Sequence, residues 1–394
     1  MHEAVLVAGA RTPIGRLLGS LGTRSAPALG AVAIRAAVTR ACIDSSAVDA
    51  VIMGNVVQAG VGPNPARQAA ARAGLPLTVP ATTVNKLCLS GLASIAHAAQ
   101  LVACGQHEVL VAGGMESMTN APHLVSEARG GLRFGDAALR DSLNRDALVC
   151  AFDDVSMGAA TERYQESMQI SRQEQDSFAA GSHARAAAAM KDGRLADEIA
   201  PVTIAGKRGD IVVEHDEGVR PDITSESLAQ LRPAFADDGT ITAGSASQLS
   251  DGACAVVIMR KTRALQLGLT WIAEVGAYGT AAGPDPSLLL QPANAIKDAV
   301  SRDGNLRIDD FDLVEINEAF AGVALASMRE LGVPAERVNV NGGAIALGHP
   351  VGMSGARLPL TLALELGRRG GGLGVAALCG GGGQGDALII RVPN

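Results

Sequence analysis

The chain has 394 residues, 47 % of them hydrophobic but only 2 % aromatic, with 47 glycines and a formal charge of −7. That length suits two or three ordinary domains or one large duplicated α/β unit, and an Ala, Val, Leu, Ile and Gly composition suits closely packed helices and strands. An acidic balance without blocks of like charge argues against a general nucleic-acid surface. The six scattered cysteines, with no C-x-x-C pair, argue against a disulfide-stapled or zinc-binding domain and point to reduced thiols in a cytoplasm.

The opening Met1-His-Glu-Ala-Val-Leu-Val-Ala-Gly9 runs into a strand, unlike the basic start and long apolar stretch of a signal peptide. No run approaches the ~20 apolar residues of a membrane span. Short β-branched or apolar runs at 4–8, 50–53, 82–85, 109–112, 253–259, 313–316, 375–378 and 387–390 predict buried strands. Alanine-rich stretches at 29–41, 91–103 and 355–366 predict helices between them, an alternation that implies layered α/β architecture. Asp49-Ala-Val-Ile-Met-Gly-Asn55 is echoed by Asp312-Leu-Val-Glu-Ile-Asn-Glu318, and Val109-Leu-Val-Ala-Gly-Gly114 by Val375-Ala-Ala-Leu-Cys-Gly380. Both echoes fall at nearly the same offset, which predicts a duplicated fold. Between about 120 and 244 the sequence is more charged, as expected of an inserted excursion; within it Ser171-Arg-Gln-Glu has the form of a capping box ahead of a helix over 173–191.

Cys88 follows the strand at 82–85 and precedes the helix at 91–103. A thiol at a helix N-terminus faces unpaired N–H groups that lower its pKa and could hold an oxyanion; alone, it reads more readily as a small buried hydrophobe. His349 lies in the glycine-rich Asn341-Gly-Gly-Ala-Ile-Ala-Leu-Gly-His-Pro350, where the backbone must turn sharply, and a neutral imidazole there could accept a thiol proton. Cys379 ends a strand and enters Gly380-Gly-Gly-Gly-Gln-Gly385, either a turn or a source of unobstructed N–H donors. That run lacks the Lys-Ser/Thr of a phosphate loop, and no G-x-G-x-x-G follows the first strand, which speaks against a nicotinamide dehydrogenase. Asn317 stands at the C-terminal end of the strand 313–316, where ligand sites of α/β sheets gather, although Asn there also forms turns.

Together, Cys88-Leu-Ser-Gly-Leu92, Gly113-Gly-Met-Glu-Ser-Met118, Gly244-Ser-Ala-Ser-Gln-Leu-Ser-Asp-Gly252, Asn317-Glu-Ala-Phe320, Asn339-Val-Asn-Gly-Gly-Ala-Ile-Ala-Leu-Gly-His-Pro350 and Cys379-Gly-Gly-Gly-Gly-Gln-Gly385 resemble the thiolase family along the whole chain, most closely its acetyl-CoA acetyltransferase branch. The resemblance implies a five-layered αβαβα fold of two similar halves, 1–120 with 245–270 and 271–394. A loop domain inserted at 121–244 would serve CoA binding and oligomer contacts. It implies a ping-pong condensation of two acetyl-CoA to acetoacetyl-CoA plus CoA, and the reverse thiolysis, without a cofactor or metal, in a homotetramer or homodimer with no nucleic-acid or membrane partner. A degradative 3-oxoacyl-CoA thiolase acting on longer chains is the rival.

By the same resemblance Cys88 carries the acyl group, His349 activates it and Cys379 moves the α-proton. Asn317 holds a water that completes one oxyanion hole with His349, and the backbone N–H groups of Cys88 and Gly381 form the other. Arg220 would meet the adenine nucleotide and Ser247 the pantetheine, with Met157, Phe235, Ala243, Leu249 and Phe320 along the tunnel. Two positions depart from the pattern: Leu89 replaces a frequent Gly, and Ser156 replaces the His of many acetoacetyl-forming members.

Overall fold

The computed structural model describes residues 3–207 and 209–393. Met1 and Asn394, the outer limits of the two expected halves, lie outside the described residues, as do His2 and Arg208. The principal strands are Ala4–Arg11 (β1), Ala50–Gly54 (β2), Ala81–Val84 (β3), Val109–Ser117 (β4), Ser250–Arg260 (β5), Ala273–Ala282 (β6), Leu313–Ile316 (β7), Gly372–Gly380 (β8) and Gln384–Val392 (β9). They lie in the order β7-β8-β9-β6-β1-β5-β4-β2-β3. The pairs β2/β3, β2/β4 and β7/β8 are parallel and the others antiparallel.

The same strand order occurs twice. In the first half it is β3-β2-β4-β5-β1, and in the second a parallel bridge from Val338 to Val314 stands where β3 would, followed by β7-β8-β9-β6. Among the described residues the halves pair edge to edge through Val5 opposite Glu274 and Leu6 opposite Ala273. This repeat is the duplication that the sequence echoes anticipate.

The longer helices are Ala26–Arg40 (α1), Pro65–Ala73 (α2), Ser90–Ala103 (α3), Met157–Gln165 (α4), Arg172–Lys191 (α5), Gln291–Asp303 (α6), Ala321–Leu331 (α7) and Val351–Arg368 (α8). Side-chain alternation along each strand assigns the layers, because successive residues face opposite ways. Val5, Val109 and Val111 pack outward with α1 and α2, whereas Leu6, Leu110 and Ala112 pack inward with Leu92 and Ile95 of α3 and Leu358 and Leu362 of α8. In the second half Val375 and Ala377 face outward with α6, and Ala376 and Leu378 face the same inner core. Five layers result, with α3 and α8 in the middle. Both faces of β1, β2, β4, β5 and β7 are buried, which is why they read as continuous apolar runs.

Every run expected as a strand overlaps one, and the helices at 29–41, 91–103, 173–191 and 355–366 occur with shifted ends. The capping box forms as expected: Ser171 Oγ accepts from the Glu174 N–H, and the Glu174 carboxylate accepts from the Ser171 N–H. Among the described residues no helix is long and apolar enough to cross a membrane.

The central helices approach each other at their N-termini through glycine. A Cβ on Gly91 of α3 would lie 2.7 Å from the Ala356 nitrogen of α8, and one on Gly114 of β4 would lie 1.8 Å from the Gly352 carbonyl oxygen. Only hydrogen fits there, so the residues preceding the two helices are brought to one place. Those residues are Cys88 and His349.

Candidate active site

Cys88 sits in a tight turn between β3 and α3. Leu87 takes a left-handed backbone conformation (φ 52°). Asn85 Oδ1 accepts from the Leu87 N–H at 3.1 Å, while Ser90 Oγ accepts from the Lys86 N–H at 2.8 Å and donates to the Leu87 carbonyl at 2.6 Å. Leu89 is the N-cap residue of α3 and is fully buried. It lies over Gly380, where a Cβ would come within 2.6 Å of Leu89 Cγ, so this larger residue is accommodated because position 380 has no side chain.

One expectation about Cys88 is overturned. Burial, the largest influence, pushes its thiol up to about 11, and the Glu116 charge pushes the same way. The N–H groups of Cys88 itself and of Gly381 bond toward the sulfur and oppose this rise, but desolvation of a thiolate outweighs them. At rest the Cys88 side chain is therefore a thiol.

His349 is buried behind Gly348, whose φ of 109° and whose missing Cβ, which would lie 2.3 Å from Ser250 Oγ, both require glycine. The His349 N–H donates to the Gln248 carbonyl at 3.0 Å. Its Nδ1 lies 2.6 Å from Ser354 Oγ, and that hydroxyl donates to the Pro350 carbonyl at 3.0 Å. With its hydrogen so committed, Ser354 Oγ accepts from Nδ1–H, which leaves the lone pair on Nε2. Asn317 Nδ2 lies 3.4 Å from that Nε2. Burial and the Arg357 guanidinium hold the imidazole down to about 4, so it is neutral at physiological pH.

Cys379 ends β8 opposite Gly385 of β9 and is buried. Burial and the neighbouring Cys88 push its thiol far above the ordinary range. Gly381 lies in the hairpin beyond it, with Met157 Cε and Leu87 Cδ1 at 2.5 and 2.8 Å from where a Cβ would stand. Asn317 is fully buried, and among the described residues its Oδ1 has no hydrogen-bond partner.

Cys88, His349, Cys379 and Gly381 line one cavity of about 430 Å³, a volume suited to a small-molecule substrate. Met157, Phe235, Ala243, Ser247, Leu249 and Phe320 line it too. Phe235 and Phe320 meet edge to face with centroids 5.8 Å apart. Asn317 stands behind His349 rather than in the wall, and Arg220 is exposed outside the lining, its N–H donating to His183 Nδ1 at 3.1 Å. Ser156 also lines the cavity, but its Oγ accepts from the Ala159 N–H at 3.2 Å as the N-cap of α4.

Two supporting residues escaped the sequence reading, one four residues past His349-Pro350 and one inside Gly113-Gly-Met-Glu-Ser-Met118. Ser354 is one. The other is Glu116, a buried carboxylate that accepts from Asn55 Nδ2 at 2.7 Å and from the N–H groups of Val56, Val57 and Gly352 at 3.0, 3.2 and 3.0 Å. It joins the end of β2 to the first turn of α8. Burial pushes its carboxyl up to about 7 against those bonds.

Two thiols, a neutral imidazole and paired backbone donors lining one cavity are the groups that covalent acyl transfer requires. The thiolase N-terminal domain matches residues 4–262 and the thiolase C-terminal domain residues 269–392. The chain belongs to the thiolase family. It is 58 % identical over 388 residues to a probable acetyl-CoA acetyltransferase of Mycolicibacterium smegmatis, covering 98 % of this chain and 100 % of that protein. It is 47 % identical over 392 residues to the acetyl-CoA acetyltransferase of Escherichia coli, with 99 % of each chain covered. The crystal structure of the Bacillus anthracis acetyl-CoA acetyltransferase superposes with a TM-score of 0.96 at 40 % identity, covering 100 % of this chain and 99 % of that one.

Proposed function

We propose that the protein is an acetyl-CoA C-acetyltransferase, which joins two acetyl-CoA into acetoacetyl-CoA and CoA and runs the reverse thiolysis. The observation that carries this is the cavity shared by Cys88, His349, Cys379 and Gly381, with the imidazole lone pair of His349 on Nε2.

In the first half-reaction Cys88 Sγ attacks the thioester carbonyl as His349 Nε2 takes its proton. The developing oxyanion accepts from the N–H groups of Cys88 and Gly381. The carbon–sulfur bond to CoA breaks, and the departing thiolate takes the Cys379 proton. In the second half-reaction the Cys379 thiolate removes the α-proton of another acetyl-CoA. The enolate oxygen accepts from the imidazolium and from a water held by Asn317 Oδ1, a role suited to an acceptor with no partner among the described residues. The enolate carbon then attacks acetyl-Cys88, a carbon–carbon bond forms, and the released Cys88 thiolate recovers its proton from His349. Protons balance over the cycle, and no metal or redox partner enters.

The two half-reactions use one pocket in turn, hence ping-pong kinetics. Met157, Phe235, Ala243, Ser247, Leu249 and Phe320 hold the acyl and pantetheine parts, with Arg220 further out toward the nucleotide. The region 121–244 contributes much of this wall and, with exposed Leu132, Phe134 and Leu139, offers contacts for a homotetramer. The edge strand β3, with one side unpaired, offers a dimer contact. Free cysteines throughout suit a cytoplasmic location.

Ser156 favours a second reading, a degradative thiolase for longer 3-oxoacyl chains, because a small side chain engaged in capping leaves room that a histidine would fill. Thiolysis rates for 3-oxoacyl-CoA substrates of increasing length separate the two. A maximum at acetoacetyl-CoA supports the first, and a rise through six carbons or more overturns it.

A further inference from the structure

The N–H donors of the proposed oxyanion hole belong to different halves: Cys88 follows β3, and Gly381 lies in the β8–β9 hairpin. Their separation depends on what ties those two segments together. One polar link does so directly. Lys86, two residues before Cys88, extends its ammonium to Asp386 Oδ1 at 2.7 Å and to the Tyr278 hydroxyl at 3.3 Å, and Tyr278 donates to Asp386 Oδ2 at 2.6 Å. Asp386 follows Gly385, the partner of Cys379 across the hairpin, and faces Leu378 in register. Tyr278 comes from the neighbouring strand β6.

The cluster is built rather than incidental. The Asp386 side chain is fully buried while that of Lys86 is 29 % exposed, so a partly desolvated ion pair anchors a turn whose backbone is fixed by Ser90. The ammonium also lies 5.8 Å from the Tyr278 ring centroid. The contacts of Leu87 with Gly381 and of Leu89 with Gly380 are apolar and can slide, whereas the hydrogen-bonded ion pair sets direction and register.

We propose that Lys86, Asp386 and Tyr278 form a clamp across the two halves that positions the Gly381 N–H against the carbonyl of the acyl group on Cys88. They are positioning residues and touch no reacting atom. The proposal rests on the functional reading above, in which that carbonyl is held by Cys88 and Gly381.

The test is isotope-edited infrared spectroscopy of the enzyme acetylated with carbonyl-13C acetyl-CoA, for wild type, Asp386→Asn, Lys86→Met and Lys86→Arg. A carbonyl polarised by two donors absorbs at lower wavenumber. The clamp predicts that the stretch rises in Asp386→Asn and Lys86→Met, that their acylation rates fall about tenfold with KM little changed, and that Lys86→Arg restores both. If Asp386→Asn does not fold, Lys86→Met and Lys86→Arg carry the same comparison, since the Lys86 side chain is partly exposed and tolerates exchange. An unmoved stretch in the folded variants removes the clamp alone. Failure of the wild type to form any acetyl-enzyme removes the functional reading itself.

Discussion

Ser354 Oγ lies 2.6 Å from His349 Nδ1 and donates its own hydrogen to Pro350, so one hydroxyl fixes which imidazole nitrogen is free to act as base. Replacing Ser354 with Ala removes the acceptor for Nδ1–H and lets the ring change tautomer and turn. Loss of one such bond is worth about 1 kcal/mol, and kcat should fall by about fivefold with KM nearly unchanged. Steady-state kinetics of Ser354→Ala test this; an unchanged kcat removes Ser354 from the account, and Ser354→Thr should retain most of the rate.

The imidazole is held down to about 4 from an ordinary value of 6.5, by burial first and Arg357 second. The acid limb of the acylation rate should therefore fall near pH 4 to 5 rather than 6.5. Stability follows the same sign. A folded-state pKa below the unfolded one gives a contribution that is complete above pH 6.5 and is lost as pH falls through 4. Melting temperatures of wild type and His349→Asn should diverge at neutral pH and converge toward pH 4.

Cys88 is pushed up to about 11, opposite to what its place before a helix suggests. Its alkylation by iodoacetamide should keep accelerating through pH 9 and 10, where an ordinary cysteine has levelled off. A plateau below pH 7 would instead mean a preformed thiolate–imidazolium pair.

Gly381 has no room for a side chain, since a Cβ would lie 2.5 Å from Met157 Cε and 2.8 Å from Leu87 Cδ1. Gly381→Ala should displace the N–H donor and slow acylation by about 10- to 100-fold, approaching the loss of an oxyanion donor. Adding Met157→Ala should recover part of that rate in single-turnover measurements, because it removes the closer of the two contacts.

Much of this was legible in the chain. His349 and Cys379 each stand among glycines and Cys88 stands three residues before Gly91, and the glycines are there because backbone must approach backbone where the central helices and hairpin meet. The strand Ala273–Ala282 was not legible: glycine and alanine weaken its pattern, and Gly279 is bare because a Cβ would lie 2.2 Å from the Ala295 carbonyl of α6. Nor was the direction of the Cys88 shift, since a helix end favours thiolate while burial depends on the completed fold. Lys86 and Asp386 are 300 residues apart, and only the folded halves reveal them as a pair.

The most direct test is the intact mass of the protein after mixing with acetyl-CoA. One added acetyl group is expected on wild type and on Cys379→Ala, with Cys379→Ala unable to condense or cleave, and no stable gain on Cys88→Ala. An acetyl group surviving on Cys88→Ala would contradict Cys88 as the acyl carrier.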